Sequence, residues 1–126
     1  MKLSLDYSTA KYAINAYDDS GVTINSRCYT NSIVVSREKL LDNWSPSLPE
    51  HIDESHIQQL ILLAPEIILL GTGKTLRFPH PAISALAMQQ GIGFEVMDTG
   101  SACRTFNVLA AEDRNVVAAL MIHDGE

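Results

Sequence analysis

Ile67-Ile68-Leu69-Leu70-Gly71-Thr72-Gly73-Lys74-Thr75-Leu76-Arg77-Phe78-Pro79 reads as a buried strand running into a glycine-rich turn. An unbroken apolar run suits a strand covered on both faces, and such strands belong to parallel βα units. Lys74 and Arg77 follow at once, and between Leu40 and Cys103 they are the only lysine or arginine. The mid-chain positive charge therefore stands at one strand end.

Downstream, the pattern alternates strand and helix. Pro81 suits the first turn of a helix whose Ile83, Leu86, Ala87 and Gln90 share a stripe, and Gly91 stops it. Residues 92–97 form a strand. Thr99 or Ser101 can cap the next helix, whose apolar face is Ala102, Cys103, Phe106, Leu109 and Ala110; Asp98, just after the strand, loosely resembles the metal-binding acid of a nucleotide site but fits a helix N-cap equally well. Residues 116–122 form a last strand, apolar on both faces. Strands of this kind alternating with helices predict parallel βαβ units.

Upstream, Asp53 is a good N-cap with Glu54 in the first turn, and Ile57, Leu60, Ile61 and Ala64 follow at helical spacing until Pro65. Residues 43–51 form a loop with two prolines that Trp44 pins to the core. Residues 12–25 read as a hairpin through Asp18-Asp19-Ser20-Gly21, with Tyr12, Ile14 and Ala16 on one face and Ala13, Asn15 and Tyr17 on the other. Residues 27–29 either continue that strand or pair separately, and 32–36 is a further strand. The first third is thus an antiparallel meander. The predicted fold is a single α/β domain over residues 1–126, with an N-terminal antiparallel β-meander and C-terminal parallel βαβ units. Residues 1–11 are expected to be a loose end.

Composition agrees with one globular core: 126 residues, 46% hydrophobic and 19% charged. A net charge of -6 and a pI near 5.1 disfavour nucleic acid and anionic membranes, which require a basic face. The greasiest region, 60–70, is broken by Pro65 and Glu66 and is too short to span a bilayer. The N-terminus lacks the apolar segment of a signal peptide, so a cytoplasmic, reducing setting is expected, with Cys28 and Cys103 as thiols.

Parallel strands put their carboxyl ends on one sheet edge, where open α/β sheets favour ligands. Two loops leave that edge, 71–79 and 98–104. Right-handed crossovers make them neighbours, so Lys74, Arg77 and Arg104 would converge near two helix N-termini, a setting receptive to an anion. The plainer reading is that these cations offset nearby acids. Gly73-Lys74-Thr75 matches the end of a phosphate-binding P-loop, but the glycine required five positions earlier is Ile68, inside the strand. Phe78-Pro79-His80-Pro81 also keeps a helix from starting at Lys74.

Cys103, in a first helical turn beside Arg104, has the setting of a nucleophile, yet it shares an apolar stripe with Phe106 and reads more simply as packing. Cys28 reads as packing in a strand. His51 and His56 miss the spacing of a helical metal pair, and only His80 lies near the cationic loop. No catalytic set, cofactor motif or metal motif is present in the sequence.

Residues 70–79, together with Met97-Asp98-Thr99, Ala102-Cys103-Arg104-Thr105-Phe106-Asn107-Val108-Leu109, Glu112-Asp113-Arg114 and Val117-Ala118-Ala119-Leu120, resemble a widespread family of small domains of unknown function. That family includes the mitochondrial complex I assembly factor subunit three. The resemblance covers nearly the whole chain. It implies a compact α/β domain, a mixed sheet with a β-meander layer and helices packed on it, no established enzyme activity, and two shared motifs: Gly71, Thr72, Gly73, Lys74, Arg77, Phe78 and Pro79 in one, and Ala102, Cys103, Arg104, Phe106 and Asn107 in the other. An Arg-rich presequence of mitochondrial type is not seen, which suggests a bacterial or unimported member.

Two classes of function follow. The first is a non-catalytic protein that binds a protein partner, as an assembly factor for a membrane-bound respiratory-type complex would, with an exposed apolar patch near Trp44 or Phe78. The second is a small-anion site, or an enzyme, on the 71–77 and 98–104 loops. A homodimer meeting through these loops is a third reading.

Overall fold

The strand at 67–72 lies inside a sheet, as its unbroken apolar run requires. The computed structural model describes residues 10–122. They form β1 (Ile14–Asp18), β2 (Gly21–Ile24), β3 (Arg27–Tyr29), β4 (Ile33–Ser36), β5 (Leu40–Leu41), α1 (Glu54–Ile61), β6 (Ile67–Thr72), α2 (Pro81–Met88), β7 (Gly93–Met97), α3 (Thr99–Ala111) and β8 (Val116–Met121). A 3-10 turn at Pro49–His51 precedes α1. The loose end expected at residues 1–11 falls mostly outside the described residues, as does His123.

A five-stranded sheet runs β5-β4-β8-β6-β7, and a separate sheet runs β1-β2-β3. β6 pairs parallel with β7 and β8, while β4 pairs antiparallel with β8. This is the expected mixed α/β architecture of meander and βαβ units.

Alternation along the central strands sorts their side chains into two cores. Val116, Ala118 and Leu120 of β8 join Ile33, Val35 and Leu69 beneath α3 and the meander. Val117, Ala119 and Met121 join Val34, Ile68 and Leu70 against Ile57 and Leu60 of α1 and Ile83 and Ala87 of α2. Each fully buried Leu, Ile or Phe contributes about 1.5–3 kcal/mol. The helices that follow the adjacent strands β6 and β7 therefore lie on opposite faces. The carboxyl ends of β6 and β7 thus form a topological switch point, where such sheets leave a crevice.

Two strand readings change. β4 leaves the meander and pairs with β8, because Ile33, Val34 and Val35 are all fully buried and need cover on both faces. Of the two courses read for residues 27–29, the structure takes the second: they pair separately as β3, turned back by Asn25 and Ser26 at φ 49° and 73°, the left-handed pair that matches a hairpin's twist. The alternation expected along 12–17 breaks between Ile14 and Ala16, where the register with β2 shifts. Ile14 and Tyr17 consequently both meet the first core. Asn107 of α3 completes the bulge: it accepts from the Ile14 N–H at 3.0 Å and donates to the Ile14 carbonyl at 2.7 Å, as a neighbouring strand would. The short strand β5 was not visible in the sequence.

The helix ends follow side-chain chemistry. Asp53 and His56 form a reciprocal cap on α1. Ala64, counted on its stripe from the sequence, is instead exposed beyond the helix at φ 55°. Pro81 opens α2 and His80 caps it, its Nδ1 accepting from the Ala82 N–H at 3.0 Å. Asp98, rather than Thr99 or Ser101, caps α3.

Candidate functional site

At the end of β6 the chain turns at Gly73 (φ 94°), and the loop beyond is closed around a buried hydroxyl. Thr72 is 1% exposed; its Oγ1 donates to the Thr75 carbonyl at 2.7 Å and accepts from the Arg77 N–H at 3.1 Å. Thr99, the first residue of α3, has no exposed surface. Its hydroxyl donates to the Met121 carbonyl and accepts from the Gly73 N–H at 2.8 Å, while its own N–H donates to the Gly73 carbonyl at 2.9 Å. One threonine therefore ties together the end of β8, the glycine loop and the start of α3. Gly71 permits this approach: a Cβ there would stand 3.0 Å from the Thr99 Cα and 3.1 Å from Leu120.

The two loops that sequence topology made neighbours are hydrogen-bonded to each other, and their residues divide into frame and surface. Gly71, Thr72, Gly73 and Pro79 are buried; Lys74, Leu76 and Phe78 are exposed and Arg77 half-buried. The cations reach different partners. Lys74 Nζ lies 3.0 Å from Asp19 on the β1–β2 turn, and Arg77 pairs with Glu50 on the 3-10 turn. Arg104 donates to Ser101 Oγ at 3.2 Å in its own helix. The plainer reading, cations offsetting nearby acids, describes these contacts of Lys74 and Arg77.

Asp98 accepts from the Ser101 N–H at 2.9 Å and its hydroxyl at 2.8 Å. These bonds, helped by the charge of Arg104, hold its carboxyl below the usual range. Capping accounts for this acid without a metal or phosphate role.

Cys103 is 5% exposed in the first core, and burial pushes its thiol up to about 12, against a smaller opposing pull from Arg104. It is a packing residue beneath the site and carries no thiolate at neutral pH. Cys28 lies in β3 as read, but its side chain is exposed rather than packed; both cysteines are free. At about pH 8 a thiol reagent is expected to label Cys28 in the native chain and Cys103 only after unfolding. Equal labelling rates would show that the first turn of α3 opens. Because the folded pKa of Cys103 lies above its ordinary 9.0, the unfolded chain ionises first, and this contribution to stability is lost as pH climbs from 9.0 toward about 12.

Of the two apolar anchors considered in the sequence, Trp44 is buried, its ring nitrogen donating to Gln59 Oε1 at 3.0 Å. Phe78 is 70% exposed and Leu76 is 52% exposed on the same loop. Sequence reasoning missed Leu76 and the acids Asp19 and Glu50, since nothing in their local spacing marks them. Two clefts, of about 310 Å³ and 230 Å³, lie elsewhere and are not lined by these loops. Among the described residues no group of three His, Cys, Asp or Glu could hold a metal ion, and no helix is long and apolar enough to cross a membrane.

Fold and site together define a small α/β domain with an ordered loop, apolar and cationic, at the carboxyl edge of its sheet. The chain belongs to the family described as "Protein of unknown function (DUF498/DUF598)", which matches residues 14–121. It is 32% identical over 126 residues to the Mus musculus protein named NADH dehydrogenase (ubiquinone) 1 alpha subcomplex assembly factor 3, covering 98% of this chain and 67% of the mouse protein. A Xanthomonas campestris protein solved by NMR superposes with a TM-score of 0.84 at 31% identity, covering 100% of this chain and 96% of that one. A Bordetella parapertussis crystal structure also gives 0.84, at 35% identity, with coverage of 91% and 98%.

Proposed function

We propose that this chain is a non-catalytic binding protein, acting from the cytoplasm, that helps assemble a membrane-bound respiratory-type complex. Its recognition surface is the 71–79 loop with the start of α3, so that Lys74, Leu76, Arg77, Phe78 and Arg104 meet the partner. Gly71, Thr72, Gly73, Pro79 and Cys103 hold that surface in place. One observation carries the reading: Phe78 is 70% exposed on a loop whose backbone is fastened by buried threonines. A large apolar side chain on a loop that is already ordered loses little entropy on docking, which is how interface anchors concentrate binding energy. The name of the mouse relative supports the assembly role. A small-anion site on Lys74, Arg77 and Arg104 has less support, since the three cations reach three different partners, Asp19, Glu50 and Ser101, rather than one shared point.

The test is affinity purification of the tagged chain from its own cells, as wild type and as Phe78→Asp. Subunits of a respiratory NADH dehydrogenase are expected with the wild type and reduced roughly tenfold or more in the variant, as for an interface anchor. Equal recovery from both, or no such subunit from either, would overturn the proposal.

A further inference from the structure

Lys74 and Arg77 bracket Leu76 and adjoin Phe78, and each is held by a carboxylate from elsewhere in the chain. In the Lys74–Asp19 pair the side chains are 57% and 84% exposed; in the Arg77–Glu50 pair they are 35% and 52% exposed. Water screens such pairs, so an external carboxylate can exchange with the internal one at little cost. The local charge points the same way. The chain carries -6 overall, yet between Glu66 and Glu95 it has no Asp or Glu. Asp19 and Glu50 reach the loop from the layers on either face of the sheet. They mark two positions at which the loop accepts a carboxylate, on either side of an apolar patch.

We propose that the 71–79 loop docks an acidic, apolar segment of its partner protein. A carboxylate of that segment replaces Asp19 at Lys74, the more exposed of the two pairs, and a neighbouring apolar side chain covers Leu76 and Phe78. The inference rests on the partner-binding reading above and adds the chemistry of the partner. A basic segment finds its counter-charge over the rest of this acidic chain, not on this loop. An anionic membrane is repelled by the net charge.

A phage-displayed library of random peptides is panned on the full chain and depleted on the Phe78→Ser chain. The recovered peptides are expected to carry Asp or Glu within a few residues of Leu, Ile, Phe or Trp. Their affinities are then read by fluorescence anisotropy, with circular dichroism confirming that each variant is folded. Lys74→Glu is expected to weaken binding about tenfold or more, as for opposed charges at an interface. Asp19→Asn is expected to strengthen it about two- to fivefold by removing the internal competitor. If the Asp19–Lys74 pair only shaped the loop, Asp19→Asn would weaken binding, and that result overturns the proposal. Recovered peptides without acidic residues, or binding unchanged by Lys74→Glu, do so as well. Sedimentation of the wild type, but not Phe78→Ser, with vesicles of phosphatidylcholine and phosphatidylglycerol would assign the loop to a lipid surface instead. If Phe78→Asp loses its co-purified subunits while no acidic peptide is selected, the partner reading stands and this inference falls; if neither result appears, both fall.

Discussion

Gly21→Ala is expected to lower the stability of the fold by roughly 3 kcal/mol or more, through strain and overpacking acting together. Gly21 sits at φ 152°, a conformation that residues with a Cβ rarely adopt, and a Cβ there would stand 2.2 Å from the Tyr29 carbonyl oxygen. That oxygen is backbone of β3, so no side-chain rotation relieves the clash; β3 must move away from β2. Val22 and Ile24, both buried in the first core, would lose part of their cover. Thermal or urea unfolding measures the loss, and Gly91→Ala separates its causes. Gly91 also has a positive φ, 75°, but a Cβ there meets nothing within 4 Å. Its substitution should cost only about 1–2 kcal/mol, the backbone penalty alone. Equal losses at the two glycines would show that the close approach of β3 is not what fixes this turn.

Thr99→Val is expected to cost about 2–4 kcal/mol, since the near-isosteric change leaves two buried backbone groups without their partner. The Met121 carbonyl loses its donor and the Gly73 N–H its acceptor, both where Thr99 has no exposed surface. For a domain of this size the unfolding midpoint should fall by roughly 10 °C. Thr99→Ser keeps the hydroxyl and loses only a methyl, so it should recover most of the difference. Hydrogen exchange at Gly73 gives a second, local readout: its amide should exchange much faster in Thr99→Val than in Thr99→Ser. If valine were tolerated as well as serine, the threonine would act by shape, and the loop would owe its order to Thr72 and Gly71 instead.

Much of this arrangement was legible in the sequence, for a physical reason. A strand covered on both faces admits only apolar side chains, so residues 67–70 and 116–122 announced the centre of the sheet. Helix ends announce themselves through the residues that satisfy free backbone groups, and Asp53, Pro81 and Gly91 were read from that need alone. The neighbouring placement of the 71–79 and 98–104 loops also followed, because parallel strands put their carboxyl ends on one edge. Local chemistry was ambiguous where one residue type serves two purposes. Asp98 and Thr99 both suit an N-cap, and only the approach of β8 gave the cap to Asp98 and the Thr99 hydroxyl to Met121.

The sequence by itself determined the strand–helix order, the parallel units and the loops at their edge, since these follow from hydrophobic period, turn chemistry and chain connectivity, all local along the chain. Tertiary structure alone decided that β4 abandons the meander for β8, that Asn107 pairs with the backbone of a bulged β1, and that Asp19 and Glu50 meet Lys74 and Arg77 while Phe78 stays exposed. Each of these depends on residues far apart in the chain, whose meeting is fixed by how the two cores close over the sheet.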